Sequence, residues 1–439
     1  MIGAIADDFT GGTDVAVALR RAGLRTALYF RTPDDGYRAA GRDAVVVALK
    51  SRTVDPDDAV AASLAATRWL QVQGATQIYF KYCSTFDSTP RGNIGPVADA
   101  LRAYLGAELA VVVPSSPEHL RTQYLGHLFV DDVPLADSHM RHHPLTPMTK
   151  SRVVELLADQ TDAKVDLVPH PLVRAGRRAI SRAVDQLSGD GVTYLVVDAI
   201  DDEDLDEIGR ACIDHRLVTG AAGLAGGLGR AWADRLGTSA AARGDARGAT
   251  PDGPAAVLAG SCSARTLEQV DRMRHHRPSY RLDVLAHPDA ERLGELALAW
   301  IDRLTDDGAP LVYSSSTPAE LRDVHDRLGV DESARILEDA MGRIARGLVD
   351  RGVRRLIVAG GETSGSVVTA LDVRGGLIGA EAAPGVPWIH LSDGDPAAGV
   401  ALLLKSGNFG DRDLLLDASA DPAVTADPTD RPHSDKAIA

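Results

Sequence analysis

The sequence has few cysteines, few aromatic residues and no long apolar run. Its three cysteines among 439 residues are too few for a disulfide framework and favour a reducing compartment, so we expect a cytoplasmic protein. Aromatic residues make up 4 % of the chain, so the core must rest on Ala, Val and Leu. No apolar run approaches the ~20 residues that a membrane-spanning helix needs. The N-terminus, an apolar run followed by two carboxylates, does not have the pattern of a signal peptide. We therefore expect no membrane partner.

The chain also has fewer positive than negative charges. Lys and Arg number 47 against 62 Asp and Glu, which gives a net charge of −15. Nucleic acids and anionic membranes bind basic surfaces, so the sequence argues against both as partners. A small anionic ligand is not excluded, because a few local Arg and Lys side chains are enough to bind it. The sequence is compatible with a homodimer.

Short apolar runs alternate with amphipathic helical patterns throughout the chain. This alternation predicts an α/β fold with βαβ units, and the length favours two domains. We expect each domain to be a mostly parallel sheet flanked by helices, with a cleft between the domains. Segment 237–253 is rich in Gly, Ala and Ser without apolar periodicity, which predicts a linker between domains 1–236 and 254–417. Segment 418–439 is polar and predicted to be disordered.

Two adjacent carboxylates follow the first predicted strand. Ile2 to Ala6 is apolar and ends at Asp7 and Asp8, after which two glycines precede a helical pattern. Thr13 is predicted to cap that helix by accepting a hydrogen bond in its first turn. Ligands of open parallel sheets bind at the carboxyl ends of strands, so the two carboxylates are candidate site residues. The alternative is that one caps the helix and the other is solvated.

Two further strand ends of the first domain combine cations with oxygen-bearing side chains. A polyhydroxy acid needs this combination, because Arg and Lys bind a carboxylate while Asp accepts hydrogen bonds from hydroxyls. The alternative is that Arg52 or Lys81 pairs internally with Asp8 or Asp87. The candidate substrate-binding residues are Asp7, Asp8, Lys50, Arg52, Lys81, Asp87 and Arg91.

Three loops rich in Gly and Ser follow apolar runs of the second domain. Glycines allow the backbone to approach an anion, and amides that open a helix can donate to it. These loops match neither standard nucleotide fingerprint, so tight structural turns are the alternative to one shared phosphate site. Cys262 is interpreted as a small buried thiol rather than a nucleophile. The candidate nucleotide-binding residues are Ser261, Ser263, Gly360, Gly361, Glu362, Thr363, Ser364, Gly365 and Gly407.

A histidine-rich segment invites a metal interpretation, which its spacing does not support. Neighbouring histidines at 142 and 143 point apart in a strand, Pro144 disrupts a helix, and no Cys or Glu completes a tetrahedral set. We therefore predict no protein-bound metal and interpret Arg141 and its histidine neighbours as part of an anion-binding or subunit-contact loop.

Seven blocks of sequence, in order, resemble those of the four-carbon acid sugar kinases. They are ADDFTGGTD, KYCSTFDSTPRGNIGPVADAL, GHLFV, MRHHPLTPMT, GSCSART, GGETSG and KSGNFG. The second and fourth blocks resemble the 3-oxo-tetronate kinase branch. Two stretches depart from the family pattern. VPSSPEHLRTQ puts the roles of Arg121 and Thr122 in doubt, and Ala221 and Ala222 stand where Gly-Ser is usual.

The resemblance implies an N-terminal acid-binding domain and a C-terminal ATP-binding domain. It further implies transfer of a phosphoryl group from ATP, with Mg²⁺, to the C4 hydroxyl of the acid. In that reaction a carboxylate takes or orients the hydroxyl proton, and we predict Asp8 for this role, with Asp87 second. The alternatives are a D-threonate or D-erythronate kinase, a hydroxy-acid oxidoreductase, and a sugar-acid sensor without catalysis.

Overall fold

The computed structural model describes residues 1–34, 41–143, 146–238, 252–305, 308–391, 396–405 and 407–420. The chain divides into an N-terminal unit, residues 1–246 with 374–378, and a C-terminal unit, residues 247–373 with 379–439. Most of the predicted linker, residues 239–251, lies outside the described residues, as do residues 421–439 of the predicted tail.

The N-terminal unit has one large sheet, one small sheet and helices around them. Its strands and helices are β1 (Ile2–Ala6), α1 (Phe9–Arg21), β2 (Thr26–Tyr29), β3 (Ala44–Ala48), α2 (Pro56–Val72), β4 (Gln77–Lys81), α3 (Ile94–Leu105), β5 (Ala110–Val113), β6 (Arg121–Tyr124), β7 (His127–Val130), β8 (Val133–Pro134), α4 (Val153–Ala158), β9 (Val165–Val168), α5 (His170–Arg174), α6 (Arg177–Gly189), β10 (Tyr194–Val197), α7 (Asp202–Ala211), β11 (Leu217–Gly220) and α8 (Ala222–Leu236). Short 3-10 helices cover Pro117–His119, Leu135–Asp137 and His139–His142.

The large sheet of this unit has the order β2-β3-β1-β4-β11-β5-β10-β9, and these strands are parallel. Ala6 at the end of β1 pairs with Ala48 of β3 and with Lys81 of β4. Every residue of these three strands is buried, as expected for parallel strands covered by helices on both faces. The register therefore places the residues that follow β1 and β3 beside Lys81 at one edge of the sheet. Residues 375–377 pair antiparallel with β2; they begin a strand, Gly375–Ala383, of which residues 375–378 belong to this unit and 379–383 to the C-terminal unit.

The C-terminal unit repeats the alternation around a second set of strands. Its elements are β12 (Ala255–Ala259), α9 (Ala264–Arg274), β13 (Ser279–Arg281), α10 (Ala290–Ile301), β14 (Leu311–Tyr313), α11 (Pro318–Leu328), α12 (Val330–Asp350), β15 (Arg355–Ala359), α13 (Gly361–Ala370), β16 (Gly375–Ala383), β17 (Val386–Leu391), β18 (Ala401–Lys405) and α14 (Leu414–Ser419). The strand order is β13-β14-β12-β15-β18-β17-β16. The first five are parallel, and β17 runs antiparallel to β18.

The predicted α/β class with mostly parallel sheets is confirmed, whereas one predicted helix cap is wrong. Helix α1 begins at Phe9, and its cap is Asp8, whose Oδ1 accepts a hydrogen bond of 2.8 Å from the Gly11 amide. Thr13 lies inside the helix, and its hydroxyl donates to the Phe9 carbonyl at 3.1 Å. The extended backbone of Asp8 starts the helix one turn earlier than the apolar periodicity suggests.

The small antiparallel sheet β6-β7-β8 was not predicted. It is tied to the large sheet by Asp198, which follows β10 and is fully buried. One oxygen of Asp198 accepts from the Gln123 side chain and from the Gly126 amide, each at 2.9 Å. Among the described residues, no helix has the length and apolarity needed to cross a membrane.

Candidate functional site

The carboxylates after β1 are joined to Arg52, which follows β3. Nε and Nη2 of Arg52 each donate at 2.8 Å to one oxygen of Asp7, and Nη2 also lies 2.9 Å from Oδ1 of Asp8. Burial alone would lower the pKa of Arg52, but the hydrogen bonds and charge of Asp7 more than offset it and raise that pKa. The guanidinium therefore stays charged. Arg52 forms an internal ion pair, which was the alternative to direct binding of a substrate carboxylate.

The loop that carries Arg52 is fixed by a buried amide. The Asn93 side chain donates to the carbonyls of Ser51 at 2.7 Å and Arg52 at 3.3 Å. The amides of Ser51 and Arg52 donate in turn to the Asp7 carbonyl. Hydrogen bonds therefore fix both the backbone of Arg52 and its guanidinium, so the side chain is in position before any ligand binds.

Lys81 brings a second cation to the same strand end. Its side chain is 5 % exposed, and its Nζ lies 3.9 Å from Oδ1 of Asp8. A Cβ placed on Gly11 would collide with this Nζ and with the Asp8 oxygen. Glycine at position 11 is therefore what lets the lysine approach the first turn of α1. The ammonium and the N-terminal end of the α1 dipole add positive charge that would suit an anion at this strand end.

Lys50 and Asp87 lie at the same strand ends with different partners. Lys50 is exposed, and its Nζ lies 5.2 Å from the centre of the Phe9 ring. Asp87 accepts a hydrogen bond of 2.5 Å from Thr85, whose hydroxyl lies 3.0 Å from Sγ of Cys83. Burial raises the pKa of the Cys83 thiol, and the charge of Arg52 opposes that shift.

Arg91 makes no hydrogen bond or ion pair with this group among the described residues. Its side chain is exposed and lines a groove of about 600 Å³ together with Asp55 and Gln160. Among the described residues, no hydrogen bond or ion pair links Arg91 to Arg52 or Lys81. A role for Arg91 in the acid site stays a prediction.

Asp14 belongs to this region and is not among the residues predicted from the sequence. It lies on α1 three residues after Gly11, and its side chain is half-buried. Burial raises the pKa of the Asp14 carboxyl, and the charges of Lys81 and then His119 oppose that shift. The signal in the sequence was its spacing, because residues three apart on a helix share one face.

In the C-terminal unit, the loops after β12 and β18 meet. Ser263 caps α9, and its hydroxyl donates to the Gly407 carbonyl at 2.6 Å. Thr266 donates to the same carbonyl at 2.8 Å. A Cβ on Gly407 would lie 2.6 Å from the Ser261 hydroxyl, so a larger residue there would displace the serine side chains. The predicted residues Ser261, Ser263 and Gly407 therefore lie together.

The loop after β15 joins the same group. Gly360 has φ of +133°, a conformation that favours glycine, and a Cβ there would lie 3.0 Å from the Ser261 amide nitrogen. Helix α13 begins at Gly361 without a side-chain cap. A Cβ on Gly361 would meet no atom within 4 Å, so the space over this helix start is open.

The remaining predicted residues of this loop lie along the first turns of α13. Glu362 is exposed, while Thr363 and Gly365 are buried. The Ser364 hydroxyl donates to the Gly360 carbonyl at 2.6 Å. Glu362 is therefore the carboxylate of this loop that solvent or a ligand reaches.

Lys405 completes the network and was not predicted as a site residue. It is the last residue of β18 and is 1 % exposed. Its Nζ donates to the Thr266 hydroxyl at 2.9 Å and to the Gly407 carbonyl at 2.8 Å. Burial, and then the charge of Arg265, lowers the pKa of Lys405 to about 8.

A cavity of about 460 Å³ adjoins these loops within the C-terminal unit. Gly260, Glu362 and Thr363 are among the residues that line it. Serines that follow β14 also line it, and a run of three serines after an apolar strand was the overlooked signal. The lining residues used below are Leu282, Val284, Ser314, Ser316, Leu321, Val324, Leu337 and Met341.

Comparison with known proteins matches both units. Residues 2–228 match the family model of a sugar-binding N-terminal domain, and residues 256–415 that of a nucleotide-binding C-terminal domain. A curated 3-oxo-tetronate kinase of Pseudomonas fluorescens is 46 % identical, covering 95 % of this chain and 96 % of the relative. A 3-oxo-tetronate kinase of Cupriavidus necator is also 46 % identical, with the same coverage of 95 % and 96 %.

A solved structure of a Salmonella typhimurium LT2 protein, described as a tRNA synthase, is 40 % identical and has a TM-score of 0.88. The similarity covers 95 % of this chain and 98 % of that protein. The more similar curated relatives are kinases, and a net charge of −15 does not favour an RNA ligand. The chain therefore belongs to the four-carbon acid sugar kinase family, in the branch of the 3-oxo-tetronate kinases.

Proposed function

We propose that the protein transfers the γ-phosphoryl group of ATP to the C4 hydroxyl of 3-oxo-tetronate, giving the 4-phosphate and ADP. The observation that carries this proposal is the 46 % identity, over 95 % of the chain, to curated 3-oxo-tetronate kinases. The domain limits 1–236 and 254–417, a cytoplasmic location and a homodimer remain predictions.

The acid would bind at the carboxyl ends of β1, β3 and β4. Lys81 and the first turn of α1 offer positive charge to its carboxylate, and the exposed Lys50 offers a further cation. Arg52 is engaged by Asp7, so its role would be to hold that carboxylate and Asp8 in place. Asp87 and the Asp8 oxygen Oδ2, which accepts no hydrogen bond among the described residues, would receive hydrogen bonds from substrate hydroxyls. Asp7 would position Arg52 beside the acid, and Arg91 would complete the site from its loop.

The nucleotide would bind in the C-terminal unit. Its phosphates would lie over the open start of α13, held by the predicted residues at positions 360–365 and by Ser261, Ser263 and Gly407. The adjoining cavity of about 460 Å³ would take the base, because leucines, valines and Met341 are among the residues that line it. Ser314 and Ser316, which also line the cavity, would supply hydroxyls to the nucleotide.

Mg²⁺ would accompany the nucleotide. Glu362 is exposed in the first turn of α13, and one carboxylate with phosphate oxygens and water is a donor set that Mg²⁺ accepts. The residues present therefore fit the ion, with Glu362 as the side chain that would hold it. When bound, the ion supplies positive charge to the transferring phosphoryl group.

The proposal is tested by ADP release from the purified protein with Mg·ATP and a panel of four-carbon acids. We expect 3-oxo-tetronate to be phosphorylated at least tenfold faster than D-threonate or D-erythronate. The keto oxygen only accepts hydrogen bonds, and a buried donor left unpaired costs about 1–3 kcal/mol. Faster turnover of D-threonate or D-erythronate would overturn the substrate but leave the kinase activity.

The other two function classes predict different results with the same set of four-carbon acids. An oxidoreductase would change NADH absorbance with the acid and release no ADP. A sensor would bind the acid in calorimetry without ADP release from any mixture. Either result would overturn the kinase proposal as a whole.

A further inference from the structure

We propose that Asp14, rather than Asp8, is the carboxylate that accepts the proton of the C4 hydroxyl, an inference that rests on the proposed kinase function. In phosphoryl transfer the protein mainly positions the reactants and stabilises charge. The attacking hydroxyl must still lose its proton to a positioned acceptor. The candidates are the carboxylates at the carboxyl ends of the strands in the N-terminal unit.

Asp8, which the sequence predicted for this role, and its neighbour Asp7 are already engaged. Oδ1 of Asp8 accepts from the Gly11 amide at 2.8 Å and lies 2.9 Å from Nη2 of Arg52 and 3.9 Å from Nζ of Lys81. Both oxygens of Asp7 accept from Arg52. These interactions occupy both oxygens of Asp7 and Oδ1 of Asp8, which leaves fewer acceptor positions for a substrate hydroxyl than a carboxylate without partners has. Asp8 is therefore built to cap the helix and fix the cations.

Asp87 is engaged as well. Its Oδ1 accepts from the Thr85 hydroxyl at 2.5 Å, and that hydroxyl lies 3.0 Å from Sγ of Cys83. These contacts fix the Asp87 side chain within its own loop. They suit a residue that orients the substrate rather than one that exchanges a proton with it.

Asp14 differs from these carboxylates in its contacts. Among the described residues it accepts no hydrogen bond, and its side chain is half-buried. It lies on the same face of α1 as Gly11, over which Lys81 Nζ sits. It therefore has unused acceptor oxygens beside a cation that would bind the substrate.

Charged groups from four neighbouring segments act on Asp14. They are Lys81 at the end of β4, His119 in the 3-10 helix after β5, Asp8 before α1 and Arg52 after β3. Burial is the largest influence and raises the pKa of Asp14, while Lys81, His119 and Arg52 oppose the shift. A carboxylate with a raised pKa is the better proton acceptor near neutral pH.

The proposed step transfers the γ-phosphoryl group to the C4 oxygen and the hydroxyl proton to Asp14. The C4 O–H bond breaks and its proton passes to an oxygen of Asp14, while the alcohol oxygen forms a bond to the γ-phosphorus. The bond between that phosphorus and the bridging oxygen breaks, and ADP leaves with the electron pair. Asp14 returns its proton to water after the product has left.

The first test compares Asp14→Asn with Asp8→Asn in the full-length protein. Asp14→Asn should lower kcat by ~10²–10⁴-fold, the usual contribution of a positioned base, with KM for the acid within about threefold of wild type. It should keep or raise Tm, because ionised Asp14 is penalised by burial. Asp8→Asn should lower Tm through loss of the Arg52 contact and lower kcat less.

The second test is the pH profile of kcat. Wild type should lose activity on acidification with an apparent pKa above 3.8, the ordinary value for Asp. His119→Gln should keep this acid limb, which separates Asp14 from the imidazole beside it. Asp14→Glu, which keeps a carboxylate, should retain more activity than Asp14→Asn.

Three results would overturn the inference. One is kcat within about threefold of wild type for Asp14→Asn, given the ~10²–10⁴-fold effect expected of a base. Another is an acid limb lost in His119→Gln. The third uses only the wild-type protein: its kcat stays constant as the pH is lowered to 3.8. Wild type without ADP release would overturn the proposed function itself, whereas an active Asp14→Asn variant overturns only this inference.

Discussion

The two units place their candidate sites at the same position, the carboxyl ends of parallel strands, but build them from different chemistry. In the N-terminal unit the site consists of charges that hold one another, with Arg52 bound to both Asp7 and Asp8. In the C-terminal unit it consists of glycines, hydroxyls and helix amides around Gly407, with a buried lysine behind them.

This difference follows from what each site is proposed to bind. A small acid with several hydroxyls is distinguished by charged groups in fixed positions, so the charges must be positioned by each other before the ligand arrives. Phosphates are bound by backbone amides, which requires open space above the backbone rather than particular side chains. The N-terminal site should therefore be sensitive to loss of charge and the C-terminal site to added volume.

The largest effect should come from removing the charge that organises the N-terminal site. Arg52→Met leaves the Asp7 carboxylate, which is 6 % exposed, without its cation. Breaking a buried ion pair of which one partner retains some exposure lowers the free energy of unfolding by about 3 kcal/mol. Urea unfolding should show this loss, together with loss of acid binding in calorimetry. Arg335→Met is the control, since its pairs with Glu332 and Asp339 are exposed and should contribute nothing measurable. Equal stability of both variants would contradict the assigned role of Arg52.

The next effect should come from added volume in the C-terminal site. Gly361→Val places a side chain in the open space over α13 and should raise KM for ATP at least tenfold, or about 1.4 kcal/mol, without change in Tm. Acid binding should be retained. Gly189→Val is the matched control, because a Cβ there also meets no atom within 4 Å. Unchanged ATP affinity in Gly361→Val would mean that the loop is only a turn.

The smallest effect concerns pH and Lys405. Its pKa is about 8 in the folded protein against an ordinary value of 10.5, so the unfolded chain binds more protons between these values. Stability should therefore rise with pH from about 8 to 10.5, because the cost of burying the charged form disappears as the lysine loses its proton. Urea midpoints of wild type and Lys405→Met across this range should show the rise only in wild type. The same slope in both proteins would assign it to other groups.

The sequence predicted well what depends on local pattern. Strands β1, β3 and β4 are continuous apolar runs, so the residues that follow them could be placed at one edge of the sheet in advance. The glycine loops were recognised for the same reason. The cap of α1 was mispredicted because Asp8 and Thr13 are both good caps, and only the backbone conformation at Asp8 decides between them.

Contacts between distant segments could not be predicted. Asp14 gains its surroundings from Lys81, His119 and Arg52, which no spacing along the chain connects to it. Lys405 is the first residue of the block KSGNFG, but its partner Thr266 lies on α9, more than a hundred residues earlier in the chain. Whether Arg91 contacts Arg52 depends on the path of a loop rather than on a repeating pattern, so the sequence could not predict it.

The most direct test of the account is the identity of the product formed from Mg·ATP and 3-oxo-tetronate by the wild-type protein. Phosphorus–proton correlation in NMR should show the new phosphate coupled to the C4 methylene protons, in an amount equal to the ADP released. A phosphate on another carbon, or ADP release without a phosphorylated acid, would contradict the proposed transfer to the C4 hydroxyl.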